Sequence, residues 1–180
     1  VTTTEGLIAF SNNVNSGTTY SGDTVFLDTD VDFFGGLSEQ FEPIGNSSND
    51  NFLGTFNGQG HVISNLAINS SSQYVGLFGH SNDGAIKNVV LDSSCSVMSS
   101  YSGSDGTCIG GMIGYCTVCT IENTVNMANI SFTGTIMGIY LGGIVGYLWA
   151  GNKGSMKNCV NYATILGKHA YDWNKSGKTG

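Results

Sequence analysis

The sequence predicts an all-β chain wound as a parallel β-helix, a solenoid whose coils are sets of short strands stacked on one another. Two families of recurring segments predict it, as do short apolar runs between Gly/Ser/Asn turns and the lack of helical periodicity over most of the 180 residues. A unit of this kind cannot bury its own apolar face. Stacked copies bury a continuous core.

The chain opens differently. Leu7, Phe10 and Val14 lie at i, i+3 and i+7, after a threonine start and before Gly17. This is an amphipathic stripe and predicts a helix over 3–15. Such a helix would cover the apolar end that a solenoid otherwise leaves open. Thr24 to Phe34 reads as the first strand and its turn, and the coils are expected over 24–167.

The first repeated segment is Val75-Gly76-Leu77-Phe78-Gly79, with copies at Ile109–Tyr115 and Leu141–Tyr147. It aligns Gly76 with Gly111 and Gly143, and Gly79 with Gly114 and Gly146, at spacings of 35 and 32. Glycine suits corners that need close backbone approach. The second segment aligns Asn65, Asn88, Asn123 and Asn158, at spacings of 23, 35 and 35. The expected result is an amide ladder at one corner, with Ile63, Ile86, Ile121 and Met156 stacked inside. About six to seven coils are expected, each advancing ~4.8 Å. The remaining 168–180 read as a polar tail carrying Tyr171 and Trp173, two aromatics placed to contact another molecule. Residues 1–167 are thus expected to form one domain.

Composition narrows the function. Thirteen acidic residues oppose six lysines and no arginine, a net charge of -7. A nucleic-acid binder needs a basic surface, so that class is excluded. No apolar run reaches the length of a membrane span. The chain starts without Met or a signal sequence, as expected of a mature or excised piece. Five cysteines occur, and four of them cluster: Cys95, Cys108, Cys116 and Cys119. The preferred pairing is Cys95–Cys108 and Cys116–Cys119, one of three connectivities that four cysteines allow. Cys159 is left as a buried thiol or one with a partner outside the chain. Glycosylation sequons begin at Asn46, Asn69, Asn129 and Asn174. Cysteines, sequons and acidity together predict an extracellular or cell-surface setting.

The Val75–Gly79 motif resembles the GLUG motif of bacterial and protist surface proteins. The resemblance extends to Glu42-Pro43-Ile44-Gly45, to Phe52–Leu66 and to the Gly-Gly-Ile-Val-Gly-Tyr copies. It covers roughly residues 3 to 167. It implies a right-handed parallel β-helix in an adhesin-like or surface-layer protein, and it brings no catalytic residues.

Enzymatic candidates are sparse. Glycoside cleavage needs two carboxylates flanking the bond. Asp83, Asp92, Asp105 and Glu122 are the acids of the repeat region, and no two hold equivalent places on adjacent rungs. Asp28, Asp30 and Asp32 alternate and would share one strand face, a candidate calcium site. A solvated outer face is the preferred reading, so no metal and no cofactor is expected. The expected role is non-enzymatic and structural: a subunit or module of a surface fibril that stacks end to end on copies of itself or on adjacent modules. The alternative is an adhesin module for glycan or protein, with Tyr74, Tyr115, Tyr140, Tyr147 and Trp149 as the aromatics available to it. A polysaccharide-active enzyme comes third, on fold analogy alone.

Overall fold

The computed structural model describes residues 1–34, 36–136, 138–151 and 153–167. The 168–180 segment, with Tyr171, Trp173 and Asn174, lies outside them. One helix, α1 (Thr4–Asn15), is followed by short strands that pair in parallel into five sheets, the faces of a β-solenoid of about four turns. The first sheet stacks Thr24–Phe26, Thr55–Asn57, Ala85–Lys87, Thr120–Glu122 and Ser155–Lys157. The second stacks Val31–Asp32, Val62–Ser64, Val90–Leu91, Val125–Asn126 and Val160–Asn161. The third holds Ala67–Ser70, Ser96–Ser99, Asn129–Phe132 and Ile165–Gly167. The fourth holds Tyr74–Val75, Thr107–Gly110 and Ile139–Gly142, and the fifth Phe78–Asn82, Ile113–Thr117 and Val145–Trp149.

The coil number is therefore smaller than the six to seven expected. The sequence alignment paired two different corners across the 23-residue spacing and so read a coil as too short. The corner amide ladder is Asn57–Asn88–Asn123–Asn158, with Nδ2-to-Oδ1 hydrogen bonds of 2.9, 3.0 and 3.0 Å and separations of 31, 35 and 35 residues. Asn65 does not belong to it. Asn65 lies at the next corner and donates to Asp32 at 2.8 Å. Asn65 and Asn88 look alike in sequence because both turn in the left-handed region, at φ 54° and 55°, a conformation that asparagine tolerates. The interior column likewise runs Phe56–Ile86–Ile121–Met156, while Ile63 stacks between Val31 and Leu91 on the second sheet.

The glycine motif needs a smaller correction. Gly79, Gly114 and Gly146 are in register. Gly76, by contrast, follows Val75, which pairs with Ile109, so it faces Gly110 rather than Gly111. Later coils carry one extra residue at this bend.

Helix α1 closes the N-terminal end. The Thr3 hydroxyl accepts from the Gly6 N–H at 3.0 Å and caps it, and Gly17 at φ 98° ends it. Leu7, Phe10 and Val14 are buried. The Phe10 ring contacts Tyr20, Phe52 and Phe56. Polar anchors fix the helix to the first coil. Ser11 donates to the Glu42 carbonyl, and the Asn15 carbonyl oxygen accepts from the N–H groups of Gly45 and Asn46.

Candidate functional site

The three aspartates of the candidate calcium site resolve into acceptors at the turns. Only Val31–Asp32 of the aspartate-rich stretch is strand. Asp28 lies 3.5 Å from the N-terminal ammonium and accepts from Gln59 at 2.8 Å. Asp30 accepts from the Val62 N–H at 2.9 Å and lies 3.0 Å from His61 Nδ1. Asp32 accepts from Asn65 and from the Phe34 N–H. The Val62 N–H and then His61 lower the pKa of Asp30, and Asn65 and then the Phe34 N–H lower that of Asp32. The three carboxylates serve separate turns, and no metal-binding group of His, Cys, Asp or Glu occurs among the described residues. Glu122, the strand carboxylate, pairs with Lys87 at 3.4 Å.

The cysteines separate as well. Cys116 and Cys119 are disulfide-bonded. Cys95 and Cys108 are free thiols, which corrects the expected Cys95–Cys108 bond. Cys95 lies in the turn before the third sheet and Cys108 in a strand of the fourth, and both are buried. Burial pushes the Cys95 thiol up to about 11 and the Cys108 thiol up to about 12, so neither is a nucleophile at neutral pH. Cys159 is half-buried, with Sγ 3.2 Å from the Lys157 carbonyl. Of the sequon asparagines, Asn69 and Asn129 are exposed on the third sheet, and Asn46 is half-buried beside the helix end.

A column of aromatics follows the fifth sheet. His80, Tyr115 and Tyr147 are in register. Tyr74 stacks on Tyr115 at 5.0 Å, and Tyr115 on Tyr147 at 5.3 Å with their planes 4° apart. The faces of Tyr74, Tyr115 and Tyr147 are thus turned on one another along the axis, while Tyr140, 50% exposed, meets Tyr147 edge-on at 4.9 Å. Beside the tyrosines, His80 is 7% exposed, with Nδ1 3.3 Å from the Ser47 carbonyl. Burial lowers its pKa below the ordinary 6.5. The unfolded chain then binds the proton more readily. His80 stabilises the fold fully above the unfolded value of ~6.5, and that contribution is lost as pH falls through the depressed folded pKa. His80→Gln is expected to flatten the pH dependence of the urea midpoint below about pH 6.5, and an unchanged slope would count against this assignment.

Sequence reasoning missed a second amide column, inside the solenoid. Asn126 is fully buried in line with Leu91 above and Asn161 below. Its Nδ2 donates to the Gly143 carbonyl at 2.8 Å and to Asn161 Oδ1 at 3.0 Å, and its Oδ1 accepts from the Ala128 N–H at 3.1 Å. A Cβ on Gly111 would collide with the Asn126 amide, and one on Gly143 with that of Asn161. The extra glycine of the later coils makes room for the buried amide. The signal was present in the sequence, because Val125-Asn126 and Val160-Asn161 recur 35 residues apart.

Two surfaces remain unassigned. One is the last coil. Along the first interior column exposure rises from 0% at Ile121 to 51% at Met156, and along the third sheet from 0% at Ile130 to 39% at Ile165. Leu166 and Tyr162 add exposed apolar area. The other is an open groove of about 490 Å³ at the corner after the fifth sheet, lined by Asn82, Asp83, Val118, Trp149, Gly151 and Lys153. Asn82, Thr117 and Trp149 are in register on successive coils.

No family model matches the chain, and no solved structure matches it. A curated protein named halomucin, from Haloquadratum walsbyi, is 35% identical over 115 residues, which cover 61% of this chain. The chain spans 1% of that protein's length.

Proposed function

We propose that the chain is a non-enzymatic structural module of an extracellular surface protein, of the kind the GLUG resemblance implies, and that it assembles end to end through its last coil. The observation that carries this reading is the difference between the two ends. Helix α1 covers the first coil, whereas Met156 and Ile165, the last members of their columns among the described residues, are half-exposed. Among the described residues, strands Ser155–Lys157, Val160–Asn161 and Ile165–Gly167 have a strand neighbour on one side only. Parallel strand edges with apolar columns behind them are templates for further pairing. The halomucin likeness, the sequons and the low charge density support the extracellular setting. The separately engaged carboxylates support a non-catalytic role.

Growth of a fibril takes two contact surfaces per subunit, and the helix-capped end would have to provide the second. A pair joined through two last coils takes one. Light scattering after size exclusion over rising protein concentration is expected to show self-association, and electron microscopy then separates filaments from rods of double length. Met156→Lys and, independently, Leu166→Lys are expected to shift the equilibrium to monomer at least tenfold. A wild-type chain that stays monomeric at every concentration would overturn assembly through this coil.

A further inference from the structure

The groove beside Trp149 gathers polar side chains that are left unengaged around an exposed indole. Asp28, Asp30, Asp32, Asp50 and Asp92 all accept hydrogen bonds from turn residues. Among the described residues, no side-chain hydrogen bond or ion pair engages Asn82, Asp83 or Lys153, although their backbone N–H groups are paired with carbonyls. An amide, a carboxylate and an ammonium therefore line the same groove as an indole that is 56% exposed.

The groove floor is held in a conformation that its residue disfavours. Val118 sits at φ 60°, where a β-branched side chain is an outlier. Asp83 occupies the same left-handed turn one coil earlier, at φ 59°. The Cys116–Cys119 disulfide closes the loop that contains Val118. The Val118 N–H also donates to the Trp149 carbonyl at 2.8 Å, and the Asp83 N–H to the Thr117 carbonyl at 2.8 Å. Strain of this sort persists only where the surroundings over-determine it, and it concentrates at binding surfaces. Here a covalent clamp and two inter-coil hydrogen bonds place an apolar side chain between the indole and the free polar groups.

We propose that this groove is a carbohydrate-binding site that takes a neutral glycan of at least two sugar units lying along the solenoid axis. An exposed indole face suits the C–H face of a pyranose ring, because it offers flat apolar area without further loss of side-chain freedom. Asp83 accepts from sugar hydroxyls, Lys153 donates to them, and Asn82 does both. Asn82 and Trp149 are two coil steps apart, ~10 Å at the spacing of paired strands, comparable to the length of a disaccharide. The opposite charges of Asp83 and Lys153 leave the groove without a net demand for an ionic ligand. A protein-docking patch would have a core depleted of charge, whereas one aromatic with a few converging polar groups is the composition of a small-ligand site. A lone carboxylate excludes a hard-cation site. The inference is independent of assembly through the last coil.

The test is isothermal titration of the whole chain with cello-, malto-, xylo- and chito-oligosaccharides of two to six units, alongside Trp149→Ala and Asp83→Asn. A Trp173→Phe background leaves Trp149 as the sole indole, so that saturable quenching by the bound sugar reports on this groove. One series is expected to bind, with affinity lowered at least tenfold in Trp149→Ala and several-fold in Asp83→Asn while circular dichroism is unchanged. Absence of binding across the panel at millimolar sugar would overturn the proposal, as would equal binding by both variants. Loss of self-association in Trp149→Ala without loss of glycan binding would reassign the groove to protein contact and overturn it equally.

Discussion

Phe10→Ala is expected to lower the stability of the fold by about 3–5 kcal/mol, the range for deleting a buried aromatic ring. The ring is 4% exposed and packs against three others: edge-on to Tyr20 at 5.1 Å and Phe52 at 5.6 Å, and stacked on Phe56 at 5.7 Å. Alanine removes these contacts together and leaves a cavity between helix and coil. In a solenoid each coil is supported mainly by its neighbours, so damage at one end is local before it is global. Hydrogen exchange is therefore expected to accelerate first in α1 and in strands Thr24–Phe26 and Val31–Asp32, with the central coils following only near the denaturation midpoint. Uniform acceleration along the chain would show that α1 is not an end cap but part of a single cooperative unit.

Gly114→Ala is expected to be as severe for a different reason. The glycine is not needed for its φ, which is ordinary, but for space. A Cβ there would lie 2.5 Å from the Val75 nitrogen, 2.7 Å from the Cys108 carbonyl oxygen and 2.9 Å from that of Gly79. All three are backbone atoms held in strand ladders, so no side chain can rotate away. Overpacking of this kind costs about 1–3 kcal/mol and more where the backbone must shift. Here two sheets would have to separate, and about 3 kcal/mol or more is expected, read as a fall in the urea midpoint at constant slope. A change below ~0.5 kcal/mol would mean that the fourth and fifth sheets are less closely apposed than this contact requires.

The repeats make the architecture readable in the sequence. A buried face recurring with fixed punctuation has few folded solutions, and stacking is the one that hides every copy. The helix was legible from Leu7, Phe10 and Val14, because 3.6-residue periodicity interrupts a chain otherwise patterned for strands. The register was legible from Gly79, Gly114 and Gly146 and from Asn88, Asn123 and Asn158, but not in the first coil. Asn65 matched Asn88 because both satisfy the same local turn, and turn chemistry does not record which corner it serves. Asn57, which accepts the hydrogen bond from Asn88, stands in register with Lys87, is followed by Gly58-Gln59-Gly60 and carries none of the flanking pattern. The Cys95–Cys108 pairing failed for a similar reason: nearness along the chain says little when consecutive residues lie on separate faces. The groove was legible in part, because the aligned Gly79, Gly114 and Gly146 already place Asn82, Thr117 and Trp149 on one column. The left-handed turns at Asp83 and Val118 and the approach of Lys153 depend on the geometry of the corner and carry no sequence pattern.

The asparagine columns also bear on how such a chain can vary over time. They index the strands of one coil against the next and leave the distance between strands unconstrained. The coil that begins at Thr55 has five steps from Asn57 to Val62 where the next has three from Lys87 to Val90, yet both strand pairs remain in register. The bend before the fifth sheet has likewise lengthened by one glycine in the later coils, and Phe78 still faces Ile113. Insertions can thus accumulate at the rim, where new loops meet the surroundings, while the ladders hold the frame. Change at the turns is cheap and change in the columns is not, so lineages of this fold are expected to diverge by decorating their corners.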